Sequence, residues 1–497
     1  MSSPSTAMRV AAVDLGATSG RIMVATVSPT SLHLEEVHRF PNGGVRAHDG
    51  LFWDVLGIHR EILVGLSRIV ATGRLDAIGI DSWAVDYGLL DRDGRLLGNP
   101  YTYRDSRTDG LAEQLLADPG SGFDAAELYA TTGLQQLPFN TLWQVAAARG
   151  TAALEQAETL LMLPDLLGYW LTGAQGAERT NASTTQLYDA TTGSWAADLV
   201  EKVGLRPGVL PPLRDPGSVV GHLLPGIAEA IGLPEGAQVP VVAVGSHDTA
   251  SAVVGVPAAD EDFAYVSSGT WSLVGLELDE PVLTEEARLA DFTNEGGVDG
   301  TIRFLKNVMG LWVLSESMKR WAERGVPGTD LVSLLAAVED AEPLRTVVDI
   351  NDARLLPPGD MPARIQDLAR EAGEPVPETP VEIARTILDS LALAYRVQLR
   401  TAARIAGRGF SVVHVVGGGS HNQLLCQLTA DACGVPVLAG PGEAAALGNV
   451  LVQARALGVD LPDLAAMRAL VRRTHELGRY EPAPGLDWDA AEARLAR

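Results

Sequence analysis

The residues best suited to chemistry fall in three short runs. In the first, Asp14, Gly16, Thr18, Ser19, Gly20 and Arg21 sit between apolar segments in AAVDLGATSGRIMVATV. That pattern predicts a β-hairpin with a small, polar tip. Glycines let backbone approach a ligand closely, hydroxyls add donors, and consecutive turn amides make a concavity for anions, so the tip suits phosphate. The residues alone also allow a plain tight hairpin. In the second run, Ser267, Ser268, Gly269 and Thr270 form the tip of YVSSGTWSLVG, a near copy of the first hairpin about 250 residues on. The third run is GSHDTA, with His247, Asp248 and Thr249 after the apolar strand residues 239–244. Phosphoryl transfer to an alcohol needs a carboxylate to take the hydroxyl proton, and Asp248 is the candidate. The competing reading is that Asp248 caps a helix starting at Thr249.

Other phosphate and metal motifs do not fit. A P-loop needs Gly-Lys-Ser/Thr, but the lysines are Lys202, Lys306 and Lys319, none after a glycine. A dinucleotide fingerprint at Gly417 and Gly419 has Asn422 where its last glycine belongs. Zinc spacings such as H-E-x-x-H are absent. Two phosphate hairpins remain, with a glycine turn, Gly417 to Ser420, leaving room for a flat purine. Asp14, at the end of the first strand, suits a carboxylate holding hydrated Mg²⁺ against the phosphates, and also a residue that satisfies turn amides. Asp81 and Asp86 flank Trp83 on an expected alternating strand, which suits sugar stacking and hydroxyl acceptance, or a core tryptophan. Residues 103–107, YRDSR, read as a polar rim or an exposed loop paired with itself, and Asn307 as a helix cap.

These runs need positioning elements. The first hairpin continues into a third strand at 31–40. Asp54 is expected to cap a helix to about Thr72 with Ile58, Ile62, Leu66 and Ile69 on one face. Strands follow at 75–81 and 83–90, then a mostly helical region from Arg104 to Leu187 and a Pro/Gly-rich stretch of loops and short helices at 193–240. The second half is expected to hold the second hairpin, helices at 307–324, 330–338 and 381–406, a strand at 411–416, a helix ending at Cys433, and a helix from Gly442. Its Ala444, Ala445, Ala446 and Gly448 are small enough for close packing. A composition shift near residue 256 suggests two domains, 1–245 and 246–497.

A chain of 497 residues exceeds one core. Its formal charge of −25 argues against nucleic acid or an anionic membrane surface as partners. ATP stays possible, because distant charges are screened beyond about 10 Å at ~0.1 M salt. Cys426 and Cys433 read as free, buried thiols in a reducing compartment. The N-terminal MSSPSTAMRV lacks the apolar core of a secretion signal, and no apolar run reaches the ~20 residues of a membrane span. The expected location is the cytoplasm.

Eight blocks in order, VDLGATSGR, GIDSWAVDYGLLD, YRDSRT, GSHDTASA, YVSSGTWSL, FLKNVMGLW, VVGGGSHNQ and AALGN, resemble the FGGY carbohydrate kinases across nearly the whole chain. The resemblance implies an α/β architecture: an actin-like ATPase fold of two ribonuclease-H-like domains with a cleft. It implies Mg·ATP-dependent phosphorylation of the C1 hydroxyl of a ketose, L-rhamnulose; L-fuculose, L-xylulose and a non-catalytic sensor are the alternatives. Position by position it puts the nucleotide loop on Ala17, Thr18, Ser19, Gly20 and Arg21, with further ATP contacts at Thr270, Ser315 and Gly418. The proton acceptor falls on Asp248, and sugar contacts on Ala84, His247, Asp248, Thr249 and Asn307. Two positions depart from the family pattern: Ala84 stands where glycine is usual, and Ser315 where glutamine is expected.

Overall fold

A computed structural model describes residues 7–495. The first six residues, on which part of the reading of the N-terminus rested, lie outside the described residues.

The first unit is organised by a six-stranded sheet in the order Val219–His222, Pro240–Val242, Ala77–Ser82, Met8–Leu15, Ser19–Val27, Leu32–Pro41. Met8–Leu15 pairs antiparallel with Ser19–Val27 and parallel with Ala77–Ser82. Its residues Val10 to Val13 have no exposed surface, as an apolar run covered on both faces requires. The helix Val55–Thr72 starts where expected: Asp54 accepts from the Gly57 amide at 2.9 Å, and Ile58, Ile62, Leu66 and Ile69 are buried. At about 1.5–3 kcal/mol for each fully buried aliphatic side chain, this face holds the helix to the sheet. Gly65 permits the approach, since a Cβ there would overlap Ile22.

The second sheet repeats the plan. Its order is Thr293–Gly296, Ile302–Met309, Trp271–Leu278, Phe263–Ser268, Val412–Val416, Val437–Ala439, Gly478–Tyr480. Phe263–Ser268 pairs antiparallel with its hairpin partner and parallel with Val412–Val416. Each sheet therefore has a hairpin strand at its centre with a parallel strand on the other side, which is the duplication the two hairpin tips imply.

Packing divides the chain discontinuously. One unit comprises the chain to Ala259 with Glu277–Phe304 and Ala444–Thr474; the other comprises Asp260–Leu276, Leu305–Glu443 and the chain from His475. The return of 444–474 to the first unit follows from small residues. In the helix Ala444–Ala456, Gly448 lies so close to Ser251 of the helix Asp248–Val254 that a Cβ would overlap the Ser251 carbonyl.

Several expected elements change. The strand read at 83–90 is shortened to Tyr87–Leu90, because residues 83–86 turn sharply, with the Asp86 amide on the Ala84 carbonyl and Val85 at φ 68°. The helix read from Asn307 begins at Trp312, and Asn307 lies in the strand Ile302–Met309. It is therefore no cap. The region 104–187 also contains the strand Thr159–Met162, and 193–240 includes the strand Val219–His222. Both cysteines are free thiols, Cys426 buried and Cys433 half-buried. Among the described residues no helix is long and apolar enough to cross a membrane.

Candidate active site

In the first unit the hairpin register places Asp14 opposite Arg21 on one side and opposite Asp81 on the parallel side. Arg21 Nη2 donates to Asp14 Oδ2 at 2.5 Å. The tip is tied from outside: the Asn42 amide donates to Thr18 O at 3.0 Å, and Asn42 Nδ2 donates to Gly16 O at 2.8 Å. Thr18 is exposed, while Ala17 and Ser19 are half-buried. Gly20 is required by Phe40, whose ring occupies the space a side chain would take.

Asp81 is fully buried. Its Oδ2 accepts from Asn449 Nδ2 at 2.5 Å, and its Oδ1 has no hydrogen-bond partner among the described residues. Asn449 is held in turn by Gln453, which also donates to Ala11 O at 2.9 Å. Burial, with the Asp14 carboxylate second, pushes the Asp81 pKa well above the ordinary value. Two hard carboxylates, one with an open buried oxygen, fit a hydrated Mg²⁺, which takes one or two carboxylates and keeps several waters. Among the described residues no group of three or more potential ligands gathers into a cage.

The turn carrying Asp248 is clamped by residues that sequence reasoning missed. Buried Glu178 accepts at Oε2 from the Ser246 amide at 3.0 Å and the Ser246 hydroxyl at 2.7 Å. Asn181 Nδ2 donates to Ser246 O at 3.3 Å, and the His247 amide donates to Thr180 Oγ1 at 3.3 Å. Ser246 O also accepts the Ser82 amide at 2.9 Å, joining this turn to the strand of Asp81. Asp248 is the first residue of its helix and His247 is the N-cap, without a side-chain bond, so the capping reading of Asp248 is corrected. Asp248 Oδ1 accepts from the Thr249 amide at 2.7 Å and from the Thr249 hydroxyl at 3.3 Å, with His247 Nε2 at 3.5 Å. Among the described residues no bond engages Oδ2, and 33% of the side chain is open. Burial raises the Asp248 pKa, and His247 opposes the shift.

Asp86 is committed to the scaffold. Its Oδ2 accepts from Trp53 Nε1 at 2.7 Å, Trp83 Nε1 at 3.0 Å and the Tyr103 amide at 3.1 Å; its Oδ1 accepts from Gln144 Nε2 at 2.9 Å. Burial raises its pKa to about 6 against these bonds. Trp83 packs on Trp53 with ring centroids 4.1 Å apart. The pair therefore holds the 83–86 turn, where Ala84 is half-buried, instead of offering free sugar acceptors. The rim read at 103–107 is not a self-paired surface loop: Asp105 is buried and accepts the Leu51 amide at 2.7 Å.

In the second unit Ser267–Thr270 forms the other tip. The Leu311 and Trp312 amides donate to Gly269 O and Thr270 O, each at 3.2 Å, setting the start of the helix Trp312–Glu323 against the tip. Ser315 is exposed on that helix's first turn. Gly417 and Gly419 close on Ser268, where a Cβ at 417 would lie 2.8 Å from its carbonyl. Thr270, Ser315 and Gly418 thus share one neighbourhood. Below it, buried Tyr395 and Ser272 are bonded at 2.7 Å. Asn307 is half-buried in this unit, away in packing unit from His247, Asp248 and Thr249.

A duplicated α/β fold of the actin-like, ribonuclease-H-like kind, with a small-residue hairpin tip in each unit and a clamped carboxylate in the first, is that of a phosphotransferase class. The chain belongs to the FGGY family of carbohydrate kinases: the N-terminal domain pattern matches residues 10–255 and the C-terminal pattern residues 264–457. It is 43% identical over 483 residues to a rhamnulokinase of Bacteroides thetaiotaomicron, covering 97% of each chain. It is 44% identical over 484 residues to a rhamnulokinase of Pectobacterium carotovorum, covering 96% of this chain and 94% of the relative. The fold matches a crystal structure of gluconate kinase from Lactobacillus acidophilus with a TM-score of 0.80 at 16% identity, over 98% of this chain and 96% of that one.

Proposed function

We propose that this enzyme transfers the γ-phosphate of ATP to O1 of L-rhamnulose, giving the 1-phosphate and ADP in the cytoplasm. The substrate rests on the two full-length relatives named rhamnulokinase. The chemistry rests on one observation above all: Asp248 has Oδ1 fixed by Thr249 and Oδ2 open. In this reading Oδ2 takes the proton of the O1 hydroxyl as O1 forms its bond to the γ-phosphorus and the bond to the bridging β–γ oxygen breaks, with ADP as leaving group. The pKa raised by burial strengthens Asp248 as a base.

Ala17 to Arg21 receive the phosphates, and Thr270, Ser315 and Gly418 receive the rest of the nucleotide. His247 and Thr249 flank the sugar, with Ala84 on the turn that Asp86 holds and Asn307 as a further sugar contact. Asp14, with Asp81 beside it, would hold Mg²⁺, which supplies charge neutralisation on the phosphates. Two free thiols accord with a reducing cytoplasm.

A coupled ADP-release assay over a panel of ketoses tests the substrate. L-Rhamnulose is expected to give the highest kcat/KM; a higher value for L-fuculose or L-xylulose reassigns the substrate, and no ADP release with any sugar makes the chain a sensor.

A further inference from the structure

Behind His247 lies a buried pair that the proposed reaction does not use. Arg303, in the strand Ile302–Met309, has no exposed surface, and Glu295, in Thr293–Gly296, is 7% exposed. Arg303 Nη1 lies 2.9 Å from Glu295 Oε2, and Arg303 Nε donates to Gly296 O at 3.0 Å. Gly296 is tied back by its own amide, which donates to Ser183 Oγ at 2.8 Å. The guanidinium is therefore fixed. Its Nη2 is 3.2 Å from His247 Nδ1. Glu295 Oε2 is 3.1 Å from the same nitrogen and forms an ion pair with Arg303 Nη1, in hydrogen-bonding geometry with neither, whereas Arg303 Nη2 meets Nδ1 in that geometry.

Arginine has donors and no acceptor. A ring nitrogen that meets an arginine N–H must offer its lone pair, which in the neutral ring leaves the proton on the other nitrogen. We propose that Arg303, anchored by Glu295, is a positioning residue that sets the tautomer of His247, keeping Nδ1 as acceptor and directing the Nε2–H at Asp248 Oδ1. Two hydrogen bonds from the Thr249 amide and hydroxyl hold Oδ1, and this N–H faces the same oxygen from 3.5 Å, so that Oδ2 is the oxygen turned to the sugar hydroxyl. The opposite tautomer would aim a lone pair at a carboxylate and turn it from its place. This inference rests on the reading of Asp248 as the base.

Removing Arg303 alone strands Glu295 as a buried unpaired charge, so E295M/R303M, which removes both charges together, is the informative variant. In ¹⁵N-histidine spectra of the wild-type chain, the His247 resonances are expected to report a protonated Nε2 and a bare Nδ1. In E295M/R303M that preference is expected to be lost, and kcat to fall about 10- to 100-fold as the base loses its orientation, while KM for ATP stays within about twofold. R303K, whose ammonium still donates to Nδ1, is expected to recover most of the tautomer preference and most of kcat. A wild-type His247 protonated on Nδ1, or a folded E295M/R303M enzyme with unchanged kcat, overturns the inference. D248N separates the two levels: if it keeps turnover the base assignment fails, whereas the spectrum, which needs no catalysis, still decides the role of Arg303.

Discussion

Replacing Asp248 with Asn probes the centre of the proposed chemistry with little structural disturbance. Asparagine keeps the oxygen that accepts from the Thr249 amide at 2.7 Å and the hydroxyl at 3.3 Å. Its NH₂ group replaces Oδ2, the atom that no donor among the described residues engages. The turn is held by Glu178 and Ser246, so the variant should fold and bind ATP as the wild type does. What it loses is a proton acceptor. General-base catalysis contributes about 10²–10⁴ in rate, which is about 2.7–5.5 kcal/mol of barrier. The stability sign is separate. A carboxyl whose folded pKa is raised contributes stability that is full below its unfolded pKa and is lost as pH rises through its folded pKa. At neutral pH the charge is therefore a cost, and D248N should melt slightly higher than the wild type there, with the gap closing toward acid pH. In the same logic, wild-type kcat/KM should fall on acidification at a pH above that of an ordinary aspartate. Turnover by ADP release, ATP titration and thermal melting test all of this. Turnover within about tenfold of the wild type, or a lower melting temperature at neutral pH, refutes the reasoning.

Gly20→Ala would put a Cβ 2.6 and 2.8 Å from two carbons of the buried Phe40 ring and nearer still to a third. It should cost about 1–3 kcal/mol in denaturant unfolding and raise KM for ATP, whereas Gly43→Ala, with nothing within 4 Å, should do neither. Tyr395→Phe removes the 2.7 Å bond to Ser272 beneath the second hairpin and should cost about 1 kcal/mol in the same measurement. Asp86, with a pKa near 6 against 3.8, contributes stability that is full below about pH 4 and is lost as pH rises through 6. Unfolding free energies of wild type and Asp86→Asn should therefore differ by a pH-dependent part of about 3 kcal/mol between those limits, and parallel curves would contradict the burial argument.

The hairpins, the helix at Asp54 and the acid-bearing turn were legible because each rests on local chemistry. Glycines and hydroxyls between apolar runs specify a tight tip, and an aspartate three residues before an amide specifies a cap. The failures were also local. Trp83 to Asp86 alternates like a strand, but four donors from Trp53, Trp83, Tyr103 and Gln144 converge on Asp86 and bend the chain there. Lys306-Asn307 looked like a helix start because asparagine caps well, and pairing within the sheet carried the strand through Met309 instead.

What the sequence by itself determined is the chemistry present: two small-residue hairpin tips, a carboxylate after a buried strand, and the order of blocks that marks the family. Only the tertiary structure decided which groups serve which. Glu178, Glu295 and Arg303 lie 70, 47 and 55 positions from Asp248, in segments with no motif of their own. They matter because sheet register and close helix packing bring their donors and acceptors to one turn. Hydrogen bonds act over about 3 Å, and no spacing along the chain encodes that proximity.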